Sequence, residues 1–130
     1  MNENVLLVGE NGEDLKMMHL FLKRLSYSPV IVPTLEAAAE MCSKKSYRVA
    51  VLDFDSMVLD NKTIRNFKHK FPQVNLIISS TKRFHPELKE AITDHIYACL
   101  TKPVDPDELA YWLASIHQNG MKSRDGPART

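Results

Sequence analysis

The stretch SPVIVPTLEAAAEMCSKKSYRVAVLD, residues 28–53, decides the fold. Val30–Val32 is a short β-branched run bracketed by Pro29 and Pro33. Thr34 is placed to cap a helix whose apolar side is Leu35, Ala38, Met41 and Cys42. Val49–Leu52 is a second short apolar run, of the kind found in a strand buried on both faces. The stretch therefore reads strand, helix, strand. Proline cannot donate to a ladder, so the first of these strands belongs at a sheet edge.

The same alternation extends in both directions. Further strands are predicted at Val5–Val8, Leu76–Ile78 and Ile96–Leu100. Leu15, Met18, Leu22 and Leu25 share one helical face ahead of the quoted stretch. After it, Ile64, Phe67 and Phe71 mark a third, shorter helix, and Pro86 suits the first turn of a fourth, with Leu88, Ala91 and Ile92 as its buried side. Asp105, Pro106 and Glu108 form a capped start for a fifth helix. Its stripe is Leu109, Trp112, Leu113 and Ile116, and it is expected to stop near Asn119-Gly120. Strand then helix, five times over, predicts an α/β fold: a (βα)5 doubly wound, five-stranded parallel sheet of flavodoxin-like order 2-1-3-4-5.

Composition narrows the function classes. The chain has 130 residues, 44% of them apolar and 25% charged, which suits one globular domain. Its 17 Lys+Arg and 16 Asp+Glu leave a formal charge of +1, with no argument for nucleic acid or an anionic membrane. Cys42 and Cys99 make no disulfide framework. Met1-Asn2-Glu3-Asn4 does not open a signal peptide, and Val5–Val8 is too short to span a bilayer. The expectation is a cytoplasmic domain over residues 1–120, with 121–130 (MKSRDGPART) as a flexible tail or linker stub.

In such sheets, ligands sit beyond the carboxyl ends of the strands. Gly9 and Glu10 follow strand one, Asp53 and Asp55 strand three, Ser79, Ser80 and Thr81 strand four, and Lys102 and Pro103 strand five. Crowded carboxylates invite a divalent cation, and Mg²⁺ takes oxygen ligands. An Asp can also accept a phosphoryl group, a transfer that depends on positioning and charge neutralisation. These residues point to a Mg²⁺-assisted, phosphoryl-accepting site centred on Asp53. The histidines lack metal-ligand spacing, and GENG (9–12) is no dinucleotide fingerprint. Lys62, Arg65, Lys68, His69 and Lys70 read as a solvated basic face, Cys99 as a small buried hydrophobe, Tyr111 as half-exposed and Asp55 as an exposed side chain.

VLLVGEN (5–11), YRVAVLDFDSM (47–57), LIISST (76–81) and LTKPVDPDEL (100–109) together resemble the receiver domain of two-component response regulators, over nearly the whole chain. The resemblance implies that Asp53 is the phosphoacceptor, served by a histidine kinase or phosphotransfer protein. It implies that Glu10, Asp53 and the backbone carbonyl of Asp55 bind Mg²⁺, that Ser80 and Lys102 meet the phosphoryl group, and that Lys102-Pro103 is a cis bond. It further implies output to a protein partner through the fourth helix, fifth strand and fifth helix, a surface that also serves homodimers. Such a domain is a phosphoacceptor with at most slow autophosphorylation and autodephosphorylation, not an enzyme proper.

Three positions depart from the family pattern. Gly9 stands where the first of two acids is usual, which weakens the expected Mg²⁺ site. Met57 replaces a loop proline, and Cys99 replaces an aromatic ring. They motivate a second reading, a pseudo-receiver that acts as an interaction module without phosphorylation. A third reading comes from VLDFDSMVLD (51–60), which is similar to the first motif of haloacid-dehalogenase-type phosphatases, with Asp53 as nucleophile and Asp55 as general acid. That motif normally follows the first strand and continues Gly-Thr, where this chain has Ser56-Met57.

Overall fold

The computed structural model describes residues 4–10, 12–83 and 85–121, with side chains through Gln118. Its strands are β1 (Asn4–Val8), β2 (Ser28–Val32), β3 (Val49–Asp53), β4 (Asn75–Ser80) and β5 (Ile96–Thr101). Its helices are α1 (Glu13–Arg24), α2 (Leu35–Lys44), α3 (Asn61–Lys70), α4 (Lys89–His95) and α5 (Pro106–Met121), with a 3₁₀ turn at Pro86–Leu88. The strands form one sheet in the order β2-β1-β3-β4-β5, every pair parallel. Both the alternation and the order predicted from sequence are present. Pro29 pairs opposite Val5 on the edge strand β2.

Strand alternation divides the core into two layers. Leu6, Val8, Ala50, Leu52 and Leu76 face Ala38 and Cys42 of α2, Ile64 and Phe67 of α3, and Ala91 of α4. Val5, Leu7, Val49, Val51, Ile77 and Leu100 face Leu15, Met18 and Leu22 of α1 and Leu109, Leu113 and Ile116 of α5. All five residues of the central strand β3 are buried. Each fully buried aliphatic side chain contributes roughly 1.5–3 kcal/mol. Thr34 caps α2 by accepting from Ala37 N, and Asp60 caps α3 by accepting from Thr63 N.

Several local expectations change. Leu25 is the exposed C-cap of α1, because the helix ends one residue before it can turn inward. Pro86 opens the 3₁₀ turn, and α4 itself begins at Lys89. Helix α5 runs through Asn119 and Gly120 to Met121, and residues 122–130 of the expected tail lie outside the described residues. Tyr111 is largely exposed, at 64%. The basic side of α3 is not simply solvated: Lys68 Nζ donates to the carbonyls of Pro72 and Val74, and Arg65 pairs with Glu90 of α4 at 2.7 Å. Cys99 is exposed, not buried. Ala98 and Leu100 take the covered face of β5, an edge strand, and Cys99 between them lies on the open face.

Tyr47, two residues before the start of β3, is fully buried, and among the described residues its hydroxyl has no hydrogen-bond partner. A buried hydroxyl without a partner carries its full desolvation penalty. Tyr47→Phe removes that group and keeps the ring, so it is expected to raise stability by about 1 kcal/mol. Thermal denaturation reads this as a melting temperature several degrees higher, and a lower one would mean the hydroxyl is satisfied.

Candidate functional site

The parallel register brings the chemistry to one end of the sheet. Asp53 pairs opposite Ser79, and Ser80 opposite Thr101. The ladders continue past the strand ends: Gly9 N donates to Val32 O at 2.9 Å, Phe54 N to Ser79 O at 3.0 Å, and Lys102 N to Ser80 O at 2.8 Å. The backbone is thus fixed where the functional side chains leave it. The Lys102-Pro103 bond is cis.

Lys102 is the centre of the site. Its ammonium lies 2.8 Å from Asp53 Oδ1, 3.0 Å from Asp55 Oδ2 and 3.1 Å from Asp14 Oδ2. The Lys102 and Asp53 side chains are only 7% and 8% exposed, while that of Asp14 is 59% exposed. Burial by itself pushes the Lys102 ammonium down, but hydrogen bonds to Asp53, Asp55 and Asp14 outweigh it and hold its pKa well above the ordinary lysine value. Burial likewise pushes Asp55 up, yet the bonds from Lys102 and Thr81 prevail and hold its carboxyl below the usual carboxylate range. Asp55 is therefore ionised at neutral pH.

Asp55 is exposed, as expected, and its carboxylate also reaches the site. Its Oδ2 accepts from Lys102 Nζ and, at 3.0 Å, from Thr81 N. Its Oδ1 accepts from Thr81 Oγ1 at 3.2 Å and Ser80 Oγ at 3.5 Å. Ser80 is buried, and its hydroxyl also accepts from Lys82 N at 3.0 Å. Asp53 Oδ1 accepts from Asp55 N at 3.2 Å as well as from Lys102.

Gly9 and Glu10 behave differently from expectation. Gly9 has φ +152°, a backbone conformation that favours glycine. A Cβ there would lie 2.7 Å from Ser56 Oγ and 2.8 Å from Asp53 Cβ. The position has room for no side chain, acidic or otherwise. Ser56 fills the space: its hydroxyl accepts from Glu10 N at 3.2 Å and donates to Asp53 O at 3.3 Å. Glu10 is exposed and lines a groove of about 690 Å³ shared with α2, α3 and the half-buried Met57. It is not among the carboxylates that meet Lys102.

Three carboxylates around one ammonium leave an excess of negative charge. The donors are all oxygen, and one or two carboxylates are enough for Mg²⁺, so Asp53 and Asp55 fit such an ion by charge and donor type. Among the described residues, no group of three or more His, Cys, Asp or Glu is arranged to hold a metal. Of the expected ligands, Asp53 lies in the cluster around Lys102, and Glu10 is exposed and outside it.

Asp14, Ser56 and Thr81 were not singled out from the sequence as ligating residues. A signal for Asp14 existed: in a parallel α/β fold, helix N-termini lie at the carboxyl ends of the strands, and Asp14 is in the first turn of α1. Thr81 was marked only by its place after the fourth strand, and nothing in the local sequence marks Ser56, whose role depends on partners in other loops.

No protein-family model matches the chain, and no curated protein matches it. Solved structures do. The signal receiver domain of an HD domain-containing protein from Pseudomonas fluorescens Pf-5 superposes with a TM-score of 0.79 at 19% identity, over 92% of this chain and 97% of that one. A CheY-like response regulator receiver domain protein from Methanospirillum hungatei JF-1 gives 0.80 at 14% identity, over 95% and 100%. A chemotaxis response regulator of Vibrio cholerae gives 0.74 at 16%, over 89% and 99%. This chain has the fold of response-regulator receiver domains.

Proposed function

We propose that the chain is a receiver-type signalling module that accepts a phosphoryl group on Asp53 from a histidine kinase or phosphotransfer protein. The observation that carries this reading is the buried Asp53 carboxylate with the buried Lys102 ammonium 2.8 Å from one of its oxygens. Among the described residues, the bonds to Asp53 fall on Oδ1, which leaves Oδ2 as the attacking oxygen. As Oδ2 bonds to phosphorus, the bond from phosphorus to the donor's imidazole nitrogen breaks, and that nitrogen keeps the electron pair. Lys102 neutralises charge on the phosphoryl oxygens, and the Ser80 hydroxyl offers them a hydrogen bond. Mg²⁺, when bound by Asp53 and the backbone carbonyl of Asp55, would supply further charge neutralisation. With no side chain at Gly9 and Glu10 outside the cluster, that binding is weak.

Output in this reading goes to a protein partner, or to a second copy of the chain, through α4, β5 and α5. No helix among the described residues is long and apolar enough to cross a membrane, and the proposed setting is the cytoplasm. The module is a phosphoacceptor, not a turnover enzyme. The ionised state of Asp55 argues against the phosphatase reading, because a general acid must hold a proton near neutral pH.

The test is incubation with Mg²⁺ and acetyl phosphate, followed by intact mass, with Asp53→Asn alongside. The expected result is one labile phosphoryl adduct, absent from the variant. No adduct under conditions that label a known receiver would overturn the reading.

A further inference from the structure

We propose that Asp55 is a resident anion: it occupies the donors that a phosphoryl group on Asp53 would need, and it pins the loop after β4. This rests on the phosphoacceptor reading for the identity of the competing group, but the pinning itself stands on geometry alone.

The donors converge on one carboxylate. The Lys102 ammonium, the Thr81 backbone N–H and the hydroxyls of Ser80 and Thr81 all reach Asp55 oxygens, at 3.0 to 3.5 Å. The Lys102 and Ser80 side chains are more than nine-tenths buried, so two of the donors are fixed in the protein, while Asp55 and Thr81 close the cradle at the surface. One cation, one backbone N–H and two hydroxyls form the kind of donor set that binds an oxyanion.

Asp53 shares the Lys102 ammonium but takes none of the donors on the β4–α4 loop in these bonds. A phosphoryl group attached to it would bring three more oxygens and about two negative charges. Those oxygens would meet a cradle whose donors are already engaged, beside a like charge. The phosphoryl group must therefore displace the Asp55 carboxylate.

Two consequences follow. In the unmodified protein, residues 80–82 are already held as a bound oxyanion would hold them. Phosphoryl transfer exchanges one anion for another, and the released Asp55 side chain is the part that moves.

Both consequences are measurable with Asp55→Asn and Asp55→Ala, each checked for native folding by thermal melt. First, amide hydrogen exchange is followed with no phosphoryl donor present. The Thr81 amide is expected to exchange about tenfold faster in Asp55→Ala, because it loses a charge-assisted acceptor. Unchanged exchange at Thr81 in a folded variant would overturn the pinning. Second, labelling by acetyl phosphate with Mg²⁺ is timed. Here Asp53 forms the new oxygen–phosphorus bond and acetate leaves. Labelling is expected to be about tenfold faster in Asp55→Asn than in the wild type, since the competing charge is gone and the backbone carbonyl at position 55 is kept. Equal or slower labelling would overturn the competition. Absence of labelling in both proteins would count against the phosphoacceptor reading, while the exchange experiment would still decide the pinning.

Discussion

Gly9→Asp, which restores an acid after the first strand, is expected to destabilise the protein by about 3–5 kcal/mol instead of improving the site. Two effects add. Backbone at φ +152° is strained for any residue with a Cβ. The new Cβ would also sit 2.7 Å from Ser56 Oγ and 2.8 Å from Asp53 Cβ. Asp53 belongs to β3, the central strand, so it cannot retreat without disturbing the sheet. Gly9→Ala should cost nearly as much, because the Cβ and not the charge is at fault. Removing the Ser56 hydroxyl with Ser56→Gly should recover only part of the loss. Chemical denaturation is the measurement. A Gly9→Asp protein with an unchanged midpoint would mean that the β1–α1 turn relaxes freely. The absence of an acid at position 9 is on this account a packing commitment shared with Ser56.

Lys102→Met is expected to cost about 3–5 kcal/mol near neutral pH, because it strands buried carboxylates without their counter-charge. Asp53 carries most of the effect, since its side chain is only 8% exposed. Asp14 contributes little, being mostly in water. The loss should depend on pH, with a definite sign. In the wild type the Asp55 pKa is lowered, so its contribution is present above the ordinary carboxylate pKa and fades only as pH falls through the lowered value. In the variant the Lys102 bonds that lower the Asp55 carboxyl are gone, and only the Thr81 bonds are left to oppose its desolvation. The wild type's advantage at Asp55 is lost as that carboxyl is protonated, which happens as pH falls through and below the ordinary carboxylate range. The gap between the two proteins should narrow over that range. A gap that stays constant would show that Lys102 stabilises by packing and not by charge.

The proline-bracketed edge strand, the apolar runs at Val5, Val49 and Leu76, and the caps at Thr34 and Asp105 were all legible in the sequence. They are local: a cap needs three residues, a buried strand four or five, and right-handed crossovers then leave few ways to order the sheet. Because parallel register follows from that order, the meeting of Asp53, Ser80 and Lys102 at one end was legible too. What the tertiary structure alone decided lies in the loops. Whether Glu10 joins the site depends on the path of the Gly9 backbone, which depends on Ser56, 46 residues away from Glu10. Whether the Asp55 carboxylate reaches the site depends on Thr81 and Lys102, residues of two other loops. Cys99 is exposed on β5, an edge strand of the sheet, and that place in the strand order is not written inside β5 itself. Strand order is set by periodic burial summed over many residues, so it is written redundantly along the chain. The direction of a single carboxylate is set by a few donors brought together only after the sheet has formed, and no stretch of sequence holds them all.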